Sequence, residues 1–112
     1  GMAKPPEFYI QMKENHPELT GAYEALGKAA RKAGPLDSQA QALVKLGLSI
    51  GAGMEGSTHS SVRKALAAGC SEEEIRHAVI LSVTTLGFPS MMRGRAWVED
   101  VLTGNDPEQK DG

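Results

Sequence analysis

The sequence predicts an all-α fold, a bundle of about five to six helices, on three observations. Apolar residues recur at helical spacing, as from Val62 to Gly69, where the intervals are three, one and three residues; this places them on one face of a helix. A helix-capping signal then begins the next helix, because Gly69 is followed by Ser71, with Glu74 three residues later. No segment shows a convincing alternation of apolar and polar residues, the pattern of a strand.

The joint at Gly69 and Ser71 organises the centre of the chain. Ser71 can accept a hydrogen bond from the amide of Glu74 while Glu74 reaches back, and Glu72 and Glu73 add negative charge at the positive end of the helix dipole. The helix that follows is predicted from residues at helical spacing, which are Ile75, Ala78, Val79, Ser82, Val83 and Leu86.

Three further helices are predicted around this central pair. Gly34-Pro35 ends the first of them. Asp37 or Ser38 caps the second, in which Gly47 is expected to allow close approach of another helix. Pro89 starts the third. The apolar positions are Leu19, Tyr23, Leu26 and Ala30, then Leu43, Leu46 and Ile50, then Met92, Ala96, Val98, Val101 and Leu102.

The 112 residues fit one helical domain with two flanking segments. Residues 1–15 form a predicted N-terminal arm, which ends at the break His16-Pro17, and residues 16–103 form the helical domain. Residues 104–112 contain no large apolar side chain and are predicted to be a disordered tail. A chain this short buries only about two-thirds of its unfolded surface, which favours an oligomer.

Composition excludes several classes of partner. The chain carries 12 Lys and Arg against 14 Asp and Glu, a net charge of −2, with no basic stripe, so no nucleic-acid partner is expected. The uncharged run from Ala78 to Met92 is broken by Gly87 and Pro89, which argues against a membrane span. No export signal is recognised. One cysteine, Cys70, cannot form an internal disulfide, which agrees with the cytoplasmic location that we expect.

The central helix pair carries a family resemblance. Ala65-Leu66-Ala67-Ala68-Gly69, followed by a small residue and by Ser71 to Ile75, resembles the motif of the carboxymuconolactone decarboxylase and alkylhydroperoxidase D-like superfamily. The similarity runs from about Leu36 to Leu102. The resemblance implies an alkylhydroperoxidase D-like helical bundle that assembles into a homotrimer or homohexamer. It also implies an active site for a small-molecule substrate at the start of the first helix of the pair.

The second helix of the pair is apolar at four successive positions, Ala78 to Leu81, and is therefore hydrophobic all round. One interpretation is that it is the most buried helix of the bundle. The other is that one of its sides forms a subunit interface, which the resemblance favours.

Redox members of the superfamily have a C-x-x-C pair at the helix start, followed by a histidine that relays protons. Aligning the motif places the cysteine positions on Met54 and Ser57 and the histidine position on Ser61, and none of the three matches. Cys70 lies at the opposite end of the helix, where we expect a small buried residue. Thiol peroxidase activity is therefore the weaker alternative.

His59 and Glu55 are the remaining candidates for catalysis. Glu55 lies four residues before His59, close enough on a helix to hydrogen-bond to it and fix its tautomer. An imidazole oriented by a carboxylate can move a proton alpha to a carbonyl or assist loss of carbon dioxide, the chemistry that the decarboxylase branch implies. His59 lies about 200° around the helix from Ser61, so it faces a different wall of the pocket. The competing interpretation is a solvated first turn.

Ser57, Ser61 and Arg93 are the candidate substrate-binding residues. Hydroxyls at the positive end of a helix can donate to a carboxylate, and Arg93, beside the turn Gly87-Phe88-Pro89, can hold an anion. The alternatives are that the serines only cap the helix and that Arg93 faces solvent. The sequence has no metal-ligand spacing and no phosphate-binding glycine loop, so we expect neither a metal nor another cofactor.

Three functions remain compatible with the sequence. The first is an enzyme related to carboxymuconolactone decarboxylase that performs acid–base chemistry on a small carboxylate or lactone. The second is a thiol peroxidase of the alkylhydroperoxidase D type. The third is a non-catalytic oligomer that keeps the fold and binds a ligand, so the sequence leaves open whether the chain is an enzyme.

Overall fold

The computed structural model describes residues 7–108, and every regular element in this range is a helix. The helices are α1 Glu7–Asn15, α2 Pro17–Lys32, α3 Ser38–Gly51, α4 Glu55–Ala67, α5 Glu72–Leu81, α6 Val83–Leu86 and α7 Phe88–Leu102. The predicted all-α fold class is confirmed. Within the described range no helix has the length and apolar character that crossing a membrane requires.

The chain divides into two compact units, Gly1–Leu36 and Asp37–Gly112. In the first unit α1 packs against α2. The hydroxyl of Tyr9 donates to Glu24 Oε1 over 2.8 Å, and Lys13 pairs with the same carboxylate at 3.5 Å. The described part of the predicted N-terminal arm is thus helical, whereas its residues 1–6 lie outside the described residues.

In the second unit, α3, α4, α5 and α7 supply the hydrophobic core. α3 packs along α4, and α4 packs along α7. The most completely buried apolar side chains are Leu46, Ile50, Val62, Ala65, Ile75, Val79 and Val98. Each large aliphatic side chain buried in this way contributes about 1.5–3 kcal/mol relative to an exposed one. α4 lies between α3 and α7, so its two sides have different neighbours.

The joint between α4 and α5 has the predicted geometry. Gly69 adopts φ +94°, a left-handed conformation that a side chain would resist. Ser71 Oγ accepts the amide of Glu74 over 3.0 Å, and Glu74 Oε1 accepts the amide of Ser71 over 2.8 Å. The predicted capping box is confirmed.

α7 packs tightly on α3 at Gly94. A Cβ at this position would lie 2.6 Å from Cγ2 of Ile50, well inside normal contact, so only glycine fits without rearrangement. The prediction that Gly47 allows the close approach is wrong, since among the described residues no atom lies within 4 Å of a Cβ built there. The buried face of α3 is instead centred on Leu46, Ser49 and Ile50, which leaves Gly47 exposed.

α5 presents apolar side chains on two sides. Ile75 and Val79 lie in the core, while Ile80 is 56% exposed and Leu81 is 61% exposed. The first interpretation of the run Ala78 to Leu81, a helix buried in the bundle, therefore holds for one side of the helix but not for the other. The use of the exposed side as a subunit interface stays a prediction.

The chain beyond α7 folds back toward α4. Arg63, on α4, forms ion pairs with Asp106 and Glu108, and Asp106 is 3% exposed. The sequence predicts a disordered tail from residue 104, and over 104–108 the structure differs, because Arg63 supplies a cationic partner that the polar composition of the segment does not reveal. Residues 109–112 of the predicted tail lie outside the described residues.

Candidate functional site

The site is built around the first turns of α4. Gly53 takes φ +68° and turns the chain out of α3, after which the amide of Met54 donates to the carbonyl of Ser49 over 3.0 Å. Thr58 Oγ1 donates to the carbonyl of Met54 over 2.7 Å. These local bonds fix the entry of α4 and therefore the directions in which the side chains of its second turn point.

His59 faces α7. Its Nε2 lies 2.9 Å from Asp100 Oδ2, and the His59 side chain is 3% exposed while that of Asp100 is 40% exposed. An ionised carboxylate can only accept hydrogen bonds, so the tautomer that fits this contact carries its hydrogen on Nε2 and donates a hydrogen bond to Asp100. The pair joins a buried imidazole to a carboxylate that remains in contact with solvent.

Glu55 does not occupy the position predicted for it. It is exposed in the first turn of α4, and among the described residues the side-chain partner of His59 is Asp100. The difference arises because α7 packs against α4 on this side and brings Asp100 to the imidazole. The partner of His59 is therefore Asp100, from a helix distant in sequence, and not Glu55, four residues away.

Ser57 and Ser61 face α3 instead. Ser49 Oγ, on α3, lies 2.7 Å from Ser57 Oγ and 3.2 Å from Ser61 Oγ. Two residues of helix correspond to about 200° of rotation, so these hydroxyls and His59 lie on opposite sides of α4, as the sequence predicts. The three serines form a hydroxyl cluster that links α3 to α4.

Arg93 lies at the N-terminal end of α4. A Cβ built on Gly53 would be 3.0 Å from Arg93 Nη2, which places the guanidinium beside the turn that precedes α4. The guanidinium also lies over the ring of Trp97, 5.2 Å from its centroid, an arrangement that attracts a cation to the aromatic face. Arg93 is exposed, so its charge is available at the positive end of the helix.

Apart from the exposed Glu55, the structure separates the predicted site residues into two groups. Arg93 and Asp100 are seven residues apart on α7, almost two full turns, so they lie on nearly the same face of that helix. We call the region where α4 and the turn before it pack against α7, which carries Gly53, His59, Arg93 and Asp100, the α4–α7 groove. Ser57 and Ser61 belong to the opposite, α3-facing side.

Two residues of these groups, Asp100 and Ser49, were not predicted from the sequence as site residues. For Ser49 a signal existed, since a serine one residue before Ile50 interrupts the apolar face of a buried helix. For Asp100 there was none, because acidic residues on the polar face of a helix are ordinary.

Comparison with known proteins decides the family. The sequence model of the carboxymuconolactone decarboxylase family matches residues 17–100 of the 112-residue chain. The chain belongs to this family. The resemblance identified in the central helix pair is confirmed, and the match includes His59, Arg93 and Asp100.

A solved structure of another carboxymuconolactone decarboxylase family protein, the apo form of one from Legionella pneumophila, has the same fold. The TM-score is 0.76 at 22% sequence identity, and the alignment covers 87% of each chain. At this identity the likeness establishes the fold alone. Among curated protein sequences, none is significantly similar to this chain.

This family member has one cysteine, and its environment suppresses reactivity. Cys70 is 5% exposed at the end of α4 that lies opposite His59. Burial raises the pKa of the Cys70 thiol, and the negative charges of Glu74 and Asp37 raise it further. A reactive thiol requires the opposite shift. In the described part of the chain no group of three or more His, Cys, Asp or Glu residues is arranged to hold a metal ion.

Proposed function

We propose that this carboxymuconolactone decarboxylase family protein performs acid–base chemistry on a small carboxylate or lactone, with His59 as the general base. The observation that carries the proposal is the 2.9 Å contact between His59 Nε2 and Asp100 Oδ2. Because Nε2 donates to the carboxylate, Nδ1 keeps a free lone pair. Asp100 thus holds the imidazole in the tautomer that a base requires and stabilises the imidazolium that forms.

The proposed proton transfer balances within the pair and the substrate. His59 Nδ1 takes a proton from the carbon alpha to a carbonyl, and the electron pair of the broken C–H bond forms an enolate. Where the enolate is conjugated with a C=C bond, the imidazolium, still bonded to Asp100, then returns the proton to the far carbon of that C=C bond. For loss of carbon dioxide, the electron pair of the broken C–C bond forms an enolate, and a His59 imidazolium that has taken its proton from solvent delivers that proton to the carbon that carried the carboxylate.

Arg93 is the proposed anchor for the carboxylate of the substrate. It lies beside Gly53, at the end of α4 where the helix dipole is positive. Seven residues of helix separate it from Asp100, which corresponds to about 10 Å along α7. The long arginine side chain and a small substrate together can bridge this distance to His59.

The other predicted site residues take no direct part in this proposal. Ser57 and Ser61 bond to Ser49 on the far side of α4, and we assign them to the packing of α3 on α4. Glu55 is exposed. In this proposal Asp100, and not Glu55, orients the imidazole of His59.

We also propose that the protein is a homotrimer or homohexamer and that the exposed side of α5 takes part in the interface. Ile80 and Leu81 are each more than half exposed. Large neighbouring apolar side chains on a surface are typical of sites that another protein surface covers.

The test of the acid–base proposal is turnover of a panel of small carboxylates and lactones, followed by NMR. His59→Gln is expected to lower the rate by about 10²–10⁴-fold, the usual contribution of general acid–base catalysis. Asp100→Asn is expected to lower it by about 10–100-fold, because the ring loses its orienting charge. Arg93→Gln is expected to raise KM for carboxylates more than it lowers kcat.

His77→Gln is the matched control, since His77 is an exposed histidine on α5 and lies outside the α4–α7 groove. Turnover by folded His59→Gln at the wild-type rate would reject the proposal. Turnover by Asp100→Asn at the wild-type rate would also reject it. A third outcome is that the wild-type protein turns over no member of the panel but binds carboxylates, and that Arg93→Gln abolishes this binding. That outcome would reject catalysis and support the non-catalytic ligand-binding alternative.

A further inference from the structure

The segment that follows α7 has a defined conformation. Gly104 takes φ +84° and reverses the chain at the end of the helix. The amide of Asn105 then donates to the carbonyl of Asp100 over 2.7 Å, and Asp106 Oδ1 accepts the amide of Glu108 over 3.1 Å. The residues 104–108, which we call the C-terminal latch, are thus connected directly to the residue that binds His59.

A second connection joins the latch to α4. Arg63 Nη1 donates to Asp106 Oδ2 over 2.7 Å, and Arg63 Nη2 donates to Glu108 Oε2 over 2.6 Å. The side chains are 12% exposed for Arg63, 3% for Asp106 and 27% for Glu108. Charges this buried are costly unless they are paired, so removing one partner leaves a strong penalty on the other. The latch is therefore held to α4 through one guanidinium group.

Both connections lie next to the proposed catalytic pair. Arg63 follows His59 by four residues, one turn of α4, and so lies on the same face of the helix. Asp100 receives His59 through its side chain and the latch through its backbone carbonyl. The latch is therefore bonded both to the helical turn beside His59 and to the partner of His59.

We infer that the C-terminal latch controls access to His59 and that breaking its contacts with Arg63 opens the α4–α7 groove. The inference rests on the proposed function, in which a substrate must reach an imidazole that is 3% exposed. Of the segments tied to the pair, the latch alone lacks regular helical hydrogen bonds among the described residues. Such segments open at lower free energy than helices do. The closed latch protects the imidazole, and the open latch exposes it.

The test measures the reaction of His59 with diethyl pyrocarbonate in the folded, full-length protein, located by mass spectrometry. Asp106→Asn keeps the shape of the side chain and the acceptor for the Glu108 amide, but it removes the charge that holds Arg63. We expect modification of His59 to become roughly tenfold faster, the factor expected when a charge-assisted hydrogen bond is lost. Glu108→Gln is expected to give a smaller increase, because Glu108 is the more exposed partner.

Several controls make the result decisive. Glu73→Gln removes an exposed carboxylate from α5 and is expected to leave the rate at His59 unchanged, and the exposed His16 serves as the internal reference in every sample. If both latch variants keep the wild-type circular dichroism and His59 reacts at the wild-type rate, the latch inference is wrong. If Asp106→Asn does not fold, Glu108→Gln alone decides.

The readout separates this inference from the proposed function. Modification rates require no substrate, so the latch can be established even if His59→Gln retains turnover and the acid–base proposal fails. Conversely, His59→Gln could lose turnover while the latch variants show an unchanged rate of His59 modification. That result would support the catalytic pair and reject the latch inference.

Discussion

At His59, burial and a single carboxylate act on the same imidazole ring. The ring is almost completely enclosed, while its partner Asp100 keeps 40% of its side-chain surface. Apolar side chains of similar volume often stabilise a helix contact as well as a buried polar pair does. The proposed chemical role of His59 therefore gives a reason for this polar pair that helix packing alone does not.

Cys70 shows the opposite use of burial. Because desolvation and nearby carboxylates raise the pKa of its thiol, the folded protein holds little thiolate at neutral pH. We expect labelling by a thiol-specific disulfide reagent at pH 8 to be slower in the native protein than in urea, because the buried thiol is both less accessible and less ionised. Equal labelling in the two states would contradict the burial of Cys70, and Cys70→Ser supplies the blank.

The same shift makes stability depend on pH. The folded pKa of Cys70 lies above the ordinary value of 9.0, so ionising the thiol costs more in the folded than in the unfolded state. The stability that the protonated thiol contributes to the folded state is fully present below about pH 9. It is lost as pH rises through the folded pKa of Cys70. Between pH 8 and pH 10 the free energy of unfolding should therefore fall more for the wild-type protein than for Cys70→Ser.

Residues whose partners are close in sequence could be predicted, and those with remote partners could not. The capping box joins Ser71 and Glu74, three positions apart, so the local pattern was sufficient. His59 and Asp100 are 41 positions apart, and Arg63 and Asp106 are 43 apart. Such pairs depend on how helices pack, and a single sequence carries no local signal of it.

Among the elements, α4 has polar groups on two sides. The hydroxyl cluster faces α3 and the His59 pair faces α7. Helical spacing predicted that Ser61 and His59 would point in different directions, but it could not indicate which neighbour each would meet. The existence of α2, α3, α4, α5 and α7 followed from the apolar period and from the glycines and prolines between the helices. The packing partners, the helix α1 and the break between α5 and α6 at Ser82 did not.

The contact between α3 and α7 provides a direct test of helix packing. In Gly94→Ala the new methyl group would lie 2.6 Å from Ile50 Cγ2, and we expect a loss of about 1–3 kcal/mol from overpacking. Gly47→Ala adds the same group on the exposed side of α3, where it meets no described atom within 4 Å. There we expect a gain of about 0.5–1 kcal/mol, because alanine favours the helix. Urea unfolding measures both.

A double variant separates packing from other effects of the substitution. Ile50→Ala removes the atoms that the Gly94→Ala methyl group would strike, so the two changes together should cost less than the sum of their separate losses. Strict additivity, or equal effects of alanine at positions 94 and 47, would contradict the close approach of α7 to Ile50.

At the scale of the whole molecule, a large share of the apolar surface remains uncovered. The second unit exposes large apolar side chains at Val44, Leu48, Met54, Ile80, Leu81, Phe88 and Met92. A chain of this length has too little interior to bury all of them. The small core and the exposed apolar side chains both follow from the shortness of the chain. Association with a second copy of the chain would bury part of this exposed apolar surface.

Association through α5 is the prediction that tests this view. Analytical ultracentrifugation is expected to show a trimer or hexamer for the wild-type protein. Ile80→Asp places a charge in the proposed interface, where desolvation without a partner is costly, so it should shift the population to smaller species. Glu73→Lys, at an exposed polar position on the same helix, should not. A monomeric wild-type protein would reject the interface, and an oligomer indifferent to Ile80→Asp would move it away from α5.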